Sequence, residues 1–272
     1  MWNSSITLED YPLEEAMRIT RELGFTRVEM WKHHLKRCRT EKLRRGFAEW
    51  SRAMGLEMGG LNAVGEPYFK PFGTDAELQA TLDGLRADLE FAHHLGVRDL
   101  LIWEGVRPKM MGDLDCFERL LPRLIELFRQ AIPMAEALGV RFLAEPHPFT
   151  VGMNDQFMIR LCDALDPARF GVLYDCCHFG VGQPQDYLGA IQRLGPRIRH
   201  IHFSDSDQKT SELHFTLGRG ALDLEGILSA FKGIHYDGTL TLDLYGNPTP
   251  VESTKVSIPM LQRAHQALGI PH

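Results

Sequence analysis

The stretch Arg141-Phe142-Leu143-Ala144-Glu145-Pro146-His147-Pro148 decides how the rest of the chain is read. Phe142 to Ala144 is a short apolar run that stops on a carboxylate, and Pro146 has no N–H to give to a sheet interior. The run therefore reads as a buried strand with Glu145 at its carboxyl end, pointing out of the sheet's mouth. Three later stretches repeat the pattern. Phe170 to Tyr174 leads into Asp175, with His178 behind it. Ile198 to Ile201 leads into His202, with Asp205 close behind. Thr239 to Leu242 leads into Asp243. Successive apolar strands thus deliver a metal-competent or acid/base side chain at the same end.

Working outward, the same punctuation recurs along the chain. Helical patterns end in Leu23-Gly24, Met54-Gly55, Leu95-Gly96, Leu138-Gly139 and Leu194-Gly195, and more loosely in Lys232-Gly233, each followed by an apolar run. Glycine after a last helical turn suits a left-handed cap. Helices are expected over 13–23, 40–54, 75–95 and 116–138, with Thr74 as an N-cap. Strands are expected near 5–8, 27–31, 56–62, 99–103, 141–145, 171–175, 198–203 and 239–243. Strand and helix alternating throughout implies an α/β fold with a parallel sheet. Eight strands close it into a (β/α)8 TIM barrel, a single domain spanning 1–272. A doubly wound open sheet is the rival, but the Gly-rich phosphate loop it would carry after its first strand is missing.

The totals fit one large core: 272 residues, 44% hydrophobic and 24% charged. A net charge of −6 argues against nucleic acid or an anionic membrane as the main partner. No run of about 18 apolar residues is present, so no membrane span is expected. The N-terminus lacks the basic start and apolar core of a signal peptide. The five cysteines (38, 116, 162, 176, 177) are odd in number and irregular in spacing. Free thiols in a reducing cytoplasm are the expectation. A homo-oligomer stays open, since exposed barrel helices often pair. The aromatic, Pro- and Gly-rich stretch 64–73 follows the third strand on the mouth side. It reads either as a lid over a substrate or as a loop whose aromatics pack on a helix.

In a (β/α)8 barrel the active site lies at the carboxyl ends of the strands. Glu145, Asp175, His202 and Asp243 all fall there, on neighbouring strands about 4.8 Å apart. Three carboxylates and one imidazole suit one divalent ion of hard to intermediate character: Mn²⁺, Co²⁺, Mg²⁺ or Zn²⁺. Without a cation, three carboxylates so close would repel one another.

The string Glu145-Pro-His147, Asp175-Cys-Cys-His178, His200-Ile-His202-Phe-Ser-Asp205, then Gly218-Arg-Gly220 with Leu222-Asp223, resembles the xylose isomerase-like TIM barrel superfamily. That group holds sugar and sugar-phosphate isomerases and epimerases, inosose and dehydroshikimate dehydratases and, more distantly, endonuclease IV. The resemblance implies that Glu145 is both metal ligand and acid/base, that Asp175 and His202 are ligands, and that Asp243 is the fourth ligand and opposing acid/base. It implies that His178 touches a substrate hydroxyl. Two positions depart from the epimerases: Asp243 stands where Glu is usual, and Gln208 where an Arg is usual. Aspartate is one methylene shorter, so it reaches a metal more readily than a substrate proton.

Further residues are weighed beside these. His147 either faces the pocket or sits in a surface turn. His214 precedes the Gly-x-Gly loop, where relatives often place a substrate-facing or second-metal histidine, and Trp31 at the end of the second strand either stacks on substrate or packs. His200 is expected to point away from His202 into packing. His33-His34 and His93-His94 are expected to be solvated.

The implied function is a metal-dependent isomerase or epimerase of a small sugar or polyol ketone in carbohydrate metabolism. A proton is taken from the carbon next to the carbonyl, giving an enediolate. Expelling a β-hydroxyl instead would make the enzyme a dehydratase, a lyase of a keto-polyol such as an inosose or dehydroshikimate. An endonuclease IV-like trinuclear site would need more histidines on strands two and three. A non-catalytic binding barrel is the remaining alternative.

Overall fold

The computed structural model describes residues 1–270. Eight parallel strands close into a barrel in sequence order: β1 (Trp2–Ser4), β2 (Arg27–Trp31), β3 (Glu57–Asn62), β4 (Asp99–Ile102), β5 (Arg141–Ala144), β6 (Phe170–Asp175), β7 (Ile198–Phe203) and β8 (Thr239–Leu242). β8 pairs with β1, Trp2 opposite Thr241, which closes the ring. Helices return the chain outside the barrel, among them Leu13–Glu22, Glu41–Ala53, Asp75–Leu95 and Leu121–Leu138. No helix among the described residues is long and apolar enough to cross a membrane.

The expected barrel is present, with one strand misplaced. Residues 5–8 form a 3-10 turn, and β1 lies just upstream at Trp2–Ser4. The apolar spacing of Ile6 and Leu8 reflects burial, which a tight turn also achieves. Strand pairing is decided by register, with Trp2, Asn3 and Ser4 opposite Arg27, Val28 and Glu29. The expected helix over 116–138 is α-helical only from Leu121; Cys116–Leu120 is wound as a π-turn.

Local signals explain most boundaries. Thr74 caps Asp75–Leu95 in a full capping box with Glu77, satisfying amides that the first turn leaves free. Gly96 and Gly139 end their helices in the left-handed region (φ 77° and 69°), where a Cβ is disfavoured. Between barrel and helices the core is aromatic: Phe128 packs on Phe142 and Phe170 with centroids 5.5 and 4.7 Å apart. Inside the barrel Leu101, Leu143 and Leu173 form a small apolar layer.

Asp205 shows why the later motif is spaced as it is. Its Oδ2 accepts the amides of Gly218 (3.1 Å) and Gly220 (2.8 Å), and its Oδ1 those of Ser206 (2.8 Å) and Leu222 (3.1 Å). A Cβ on Gly220 would sit 2.3 Å from that carboxylate, so the close approach requires glycine. The motif therefore ties the loop after β7 in place, and Asp223 then caps the helix Leu224–Gly233. Gln208, the departed arginine position, reaches away to the Pro184 carbonyl at 3.1 Å.

Candidate metal centre and substrate pocket

β6 and β7 pair with Asp175 opposite His202, so these two side chains start as neighbours. Glu145 and Asp243 are the first residues beyond β5 and β8. Their amides still extend the ladder, donating to the carbonyls of Ile102 (2.9 Å) and Phe203 (3.4 Å). All four side chains are buried. Nδ1 of His202 lies 2.8 Å from Glu145 Oε1, 3.1 Å from Asp243 Oδ2 and 3.5 Å from Asp175 Oδ2.

Despite these distances, His202 Nδ1 makes no hydrogen bond of normal geometry, and Asp175 Oδ2 is also buried without a hydrogen-bond partner. Buried polar atoms are normally satisfied. Here two of them face one another inside a ring of carboxylates, so the residues fit a divalent cation. Asp175 also caps the helix Cys176–Gly182, its Oδ1 accepting the His178 amide at 2.8 Å. One oxygen thus serves the backbone and the other faces the site.

The second strand, whose Glu29-Met30-Trp31 resembles the family's Glu-containing second strand, supplies a partner for His202 that no local pattern reports. Glu29 lies at the barrel floor with both carboxylate oxygens 3.1 Å from His202 Nε2. Ser4 (3.2 Å), Asn62 (3.3 Å) and His200 (3.1 Å) approach the same carboxylate. This network assigns the proton of His202 to Nε2 and leaves the Nδ1 lone pair for a metal. His200 therefore does not point away: residues two apart on a strand share a face, and both imidazoles converge on Glu29. Replacing Glu29 by Gln is expected to weaken divalent-metal affinity about 10- to 100-fold while the fold persists. Calorimetric titration of metal into the apo variant measures this, and an unchanged Kd would remove Glu29 from the centre.

Electrostatics agree with the geometry. Burial pushes the Glu145 carboxyl up to about 7; the His202 charge opposes this and the charges of Asp175 and Asp243 add to it. Burial alone would lower His202, yet Glu29, Asp243 and Glu145 together hold it well above the usual imidazole range. The cluster demands a positive charge at its centre, from a proton on His202 or from a cation. For Glu29, burial is outweighed by the nearby imidazoles, which keep it well below the usual carboxylate range.

Trp31, His147, His178 and His214 line one cavity of about 170 Å³ that also exposes Glu145 and Asp243. His147 is buried and not in a surface turn; its Nε2 lies 3.0 Å from Glu212 Oε1. Its ring meets that of His178 at 4.4 Å, and His178 meets His214 at 5.3 Å. His214 Nδ1 is 3.3 Å from the Asp243 carbonyl and 4.0 Å from Asp175 Oδ2. His33 is exposed but not merely solvated: it stacks on Trp31 at 4.7 Å and lines the same cavity. His34 is half-buried, with Nδ1 3.2 Å from Ser5 Oγ. His93 is exposed and His94 half-buried on the outer helix. Cys176 and Cys177 open the helix after β6; all five thiols are free and buried.

Glu104, just past β4, is a buried carboxylate with one unpartnered oxygen. Its Oε1 accepts the Gly152 amide at 2.6 Å, holding the loop that carries His147. Burial pushes this carboxyl up to about 7, partly opposed by Thr150 and the Gly152 amide. The folded protein thus holds this proton more tightly than the unfolded chain. Its contribution is full below pH 4.5 and is lost as pH rises through about 7, on the order of 3 kcal/mol. Glu104→Gln is therefore expected to gain several degrees of Tm over the parent at pH 8 but little at pH 5. Melting curves of the metal-free proteins check this; an equal difference at both pH values would refute it.

The chain matches the xylose isomerase-like TIM barrel family over residues 17–264 and belongs to that family. It is 22% identical over 255 residues to fructoselysine 3-epimerase of Escherichia coli O157:H7, covering 86% of each chain. It is 21% identical over 240 residues to inosose dehydratase of Geobacillus thermodenitrificans, covering 79% of this chain and 80% of that one. A crystal structure of IOLI protein with a binding zinc atom superposes with a TM-score of 0.75 at 18% identity, covering 97% of this chain and 96% of that one. The relatives named for an activity are thus 3-epimerases and dehydratases, which places the chain in a family of enzymes.

Proposed function

We propose that this protein is a divalent-metal-dependent isomerase or epimerase of a small, unphosphorylated sugar or polyol ketone. The observation that carries the reading is the convergence of Glu145, Asp175 and Asp243 on the Nδ1 of His202. Those residues would hold one Mn²⁺, Co²⁺, Mg²⁺ or Zn²⁺, which when bound polarises the carbonyl and offsets developing negative charge. Glu145, a buried carboxylate at the carboxyl end of β5, takes the proton from the carbon beside the carbonyl. Asp243 is the acid/base on the opposing side. His178, His147 and His214 hold the hydroxyls, and Trp31 covers the apolar face of the carbon chain. Cytoplasmic location belongs to the same proposal.

A second reading, dehydration of a keto-polyol, is favoured by one feature. Asp243 accepts the Tyr245 amide at Oδ1 (3.0 Å) and turns Oδ2 to the metal side, 3.1 Å from His202 Nδ1, so neither oxygen is left for a substrate proton. A dehydratase needs only Glu145 to take the proton, with an imidazole of the histidine row protonating the departing hydroxyl. The test is incubation of metal-loaded protein in D₂O with a panel of ketoses and inososes. Deuterium entering beside the carbonyl without loss of water indicates epimerisation or isomerisation, and loss of water indicates the lyase. Bound metal with neither outcome on any compound would sink both and leave a binding barrel.

A further inference from the structure

Beside the catalytic cavity lies a second one of about 370 Å³, walled by residues 63–73 and the segment after β4. Its lining is predominantly apolar, with Tyr68, Phe69, Pro71, Phe72, Val106 and Pro108 among its residues. Gly65 and Trp103 line both cavities, so the two share a wall.

The cavity is built into the fold and does not wait for a closing loop. The aromatics of residues 64–73 pack on the outer helices: Tyr68 lies against Gly84, where a Cβ would come within 2.2 Å of its ring. Tyr68 Oη donates to Asp88 at 2.5 Å, and Lys32 bridges Asp88 (2.7 Å) to Glu66 (3.0 Å). Arg123 holds the Gly73 carbonyl at 2.6 Å. On the other wall Gly105 admits Pro71 and Phe72; a Cβ there would lie 2.9 Å from both. Of the two readings of this stretch, packing against helices is the one observed.

Size points the same way. At about 170 Å³ the catalytic cavity falls below the roughly 300–1,000 Å³ usual for small-molecule sites, whereas the pair together falls within it. One chamber presents carboxylates and imidazoles, and its neighbour presents rings and prolines. Resting on the function proposed above, we infer that the substrate is a polyhydroxylated carbonyl compound bearing an apolar, ring-sized substituent. The polyol end sits at Glu145 and Asp243, and the substituent fills the chamber of residues 63–73. Phe72 and Val106 are then specificity-determining residues.

The test uses the metal-loaded full chain and two probes. The first is 4-fluorobenzyl alcohol followed by fluorine NMR, which reads the apolar chamber with no ketose present. The second is calorimetric comparison of D-fructose with its 1-O-benzyl and 6-O-benzyl ethers. Line broadening of the alcohol is expected, along with about tenfold tighter binding of at least one benzyl ether than of D-fructose. Val106→Trp, at a position 55% exposed and so tolerant of bulk, should remove the line broadening and bring the benzyl ethers to the affinity of D-fructose. Equal affinity for all three sugars with no broadening, or a benzyl preference that survives Val106→Trp, overturns the inference while the ketose reading stands. Broadening without affinity for any of the sugars supports the ring site and instead sinks the ketose reading.

Discussion

Replacing Glu145 by Gln is expected to lower kcat about 10³-fold on the true substrate while the protein keeps its metal. The side chain keeps its length and an oxygen within reach of the site, and its backbone amide remains tied to Ile102. What is lost is the only basic site on that residue. In the parent, burial and the flanking carboxylates raise this carboxyl's affinity for a proton, and a bound cation would keep it ionised at rest, ready to act as a base. The amide cannot take a proton at any working pH. Because a ground-state contact is replaced by a near-isostere, KM should change much less than kcat. Steady-state kinetics beside elemental analysis of the same preparation separate the effects. An unchanged turnover with metal present would exclude Glu145 as the base and, with it, the proposed mechanism.

The second large effect is on metal content. Purified parent protein is expected to carry about one divalent ion per chain, and Asp175→Asn combined with His202→Ala essentially none. Asparagine is chosen because Asp175 also caps the helix Cys176–Gly182, and Asn caps about as well as Asp. Loss of metal then cannot be blamed on loss of the helix end. Stability supplies an independent readout: metal at about 100 times its Kd should stabilise the parent by about 2.7 kcal/mol and leave the variant unmoved. A parent that neither contains nor takes up metal on titration would overturn the functional reading and leave the barrel.

The two predictions rest on residues that were legible to different degrees. Glu145, Asp175, His202 and Asp243 could be read from the chain because each ends an apolar run, and strand ends in a closed barrel share one mouth. The histidines at 147, 178 and 214 were visible as candidates, but only packing showed them stacked edge to face in one row. Glu29 stood in the middle of a recognisable strand, yet its link to His202 spans 173 residues and no local pattern reports it. Glu104 carried no signal beyond its place after β4. The first strand was misplaced because apolar spacing in Ile6 and Leu8 records burial and cannot register a pairing partner.

By itself, then, the sequence determined the repeating strand–helix unit, the barrel it closes into and the four side chains delivered to its mouth. These follow from local periodicity and from chain stops acting over a few residues. Only the tertiary structure decided which nitrogen of His202 faces the carboxylates, that Glu29 meets its other nitrogen and is itself met by His200, and that an apolar chamber adjoins the cavity lined by Glu145 and Asp243. Hydrogen-bond partners, buried charge and empty volume arise between segments far apart in the chain. They exist only once the barrel has closed.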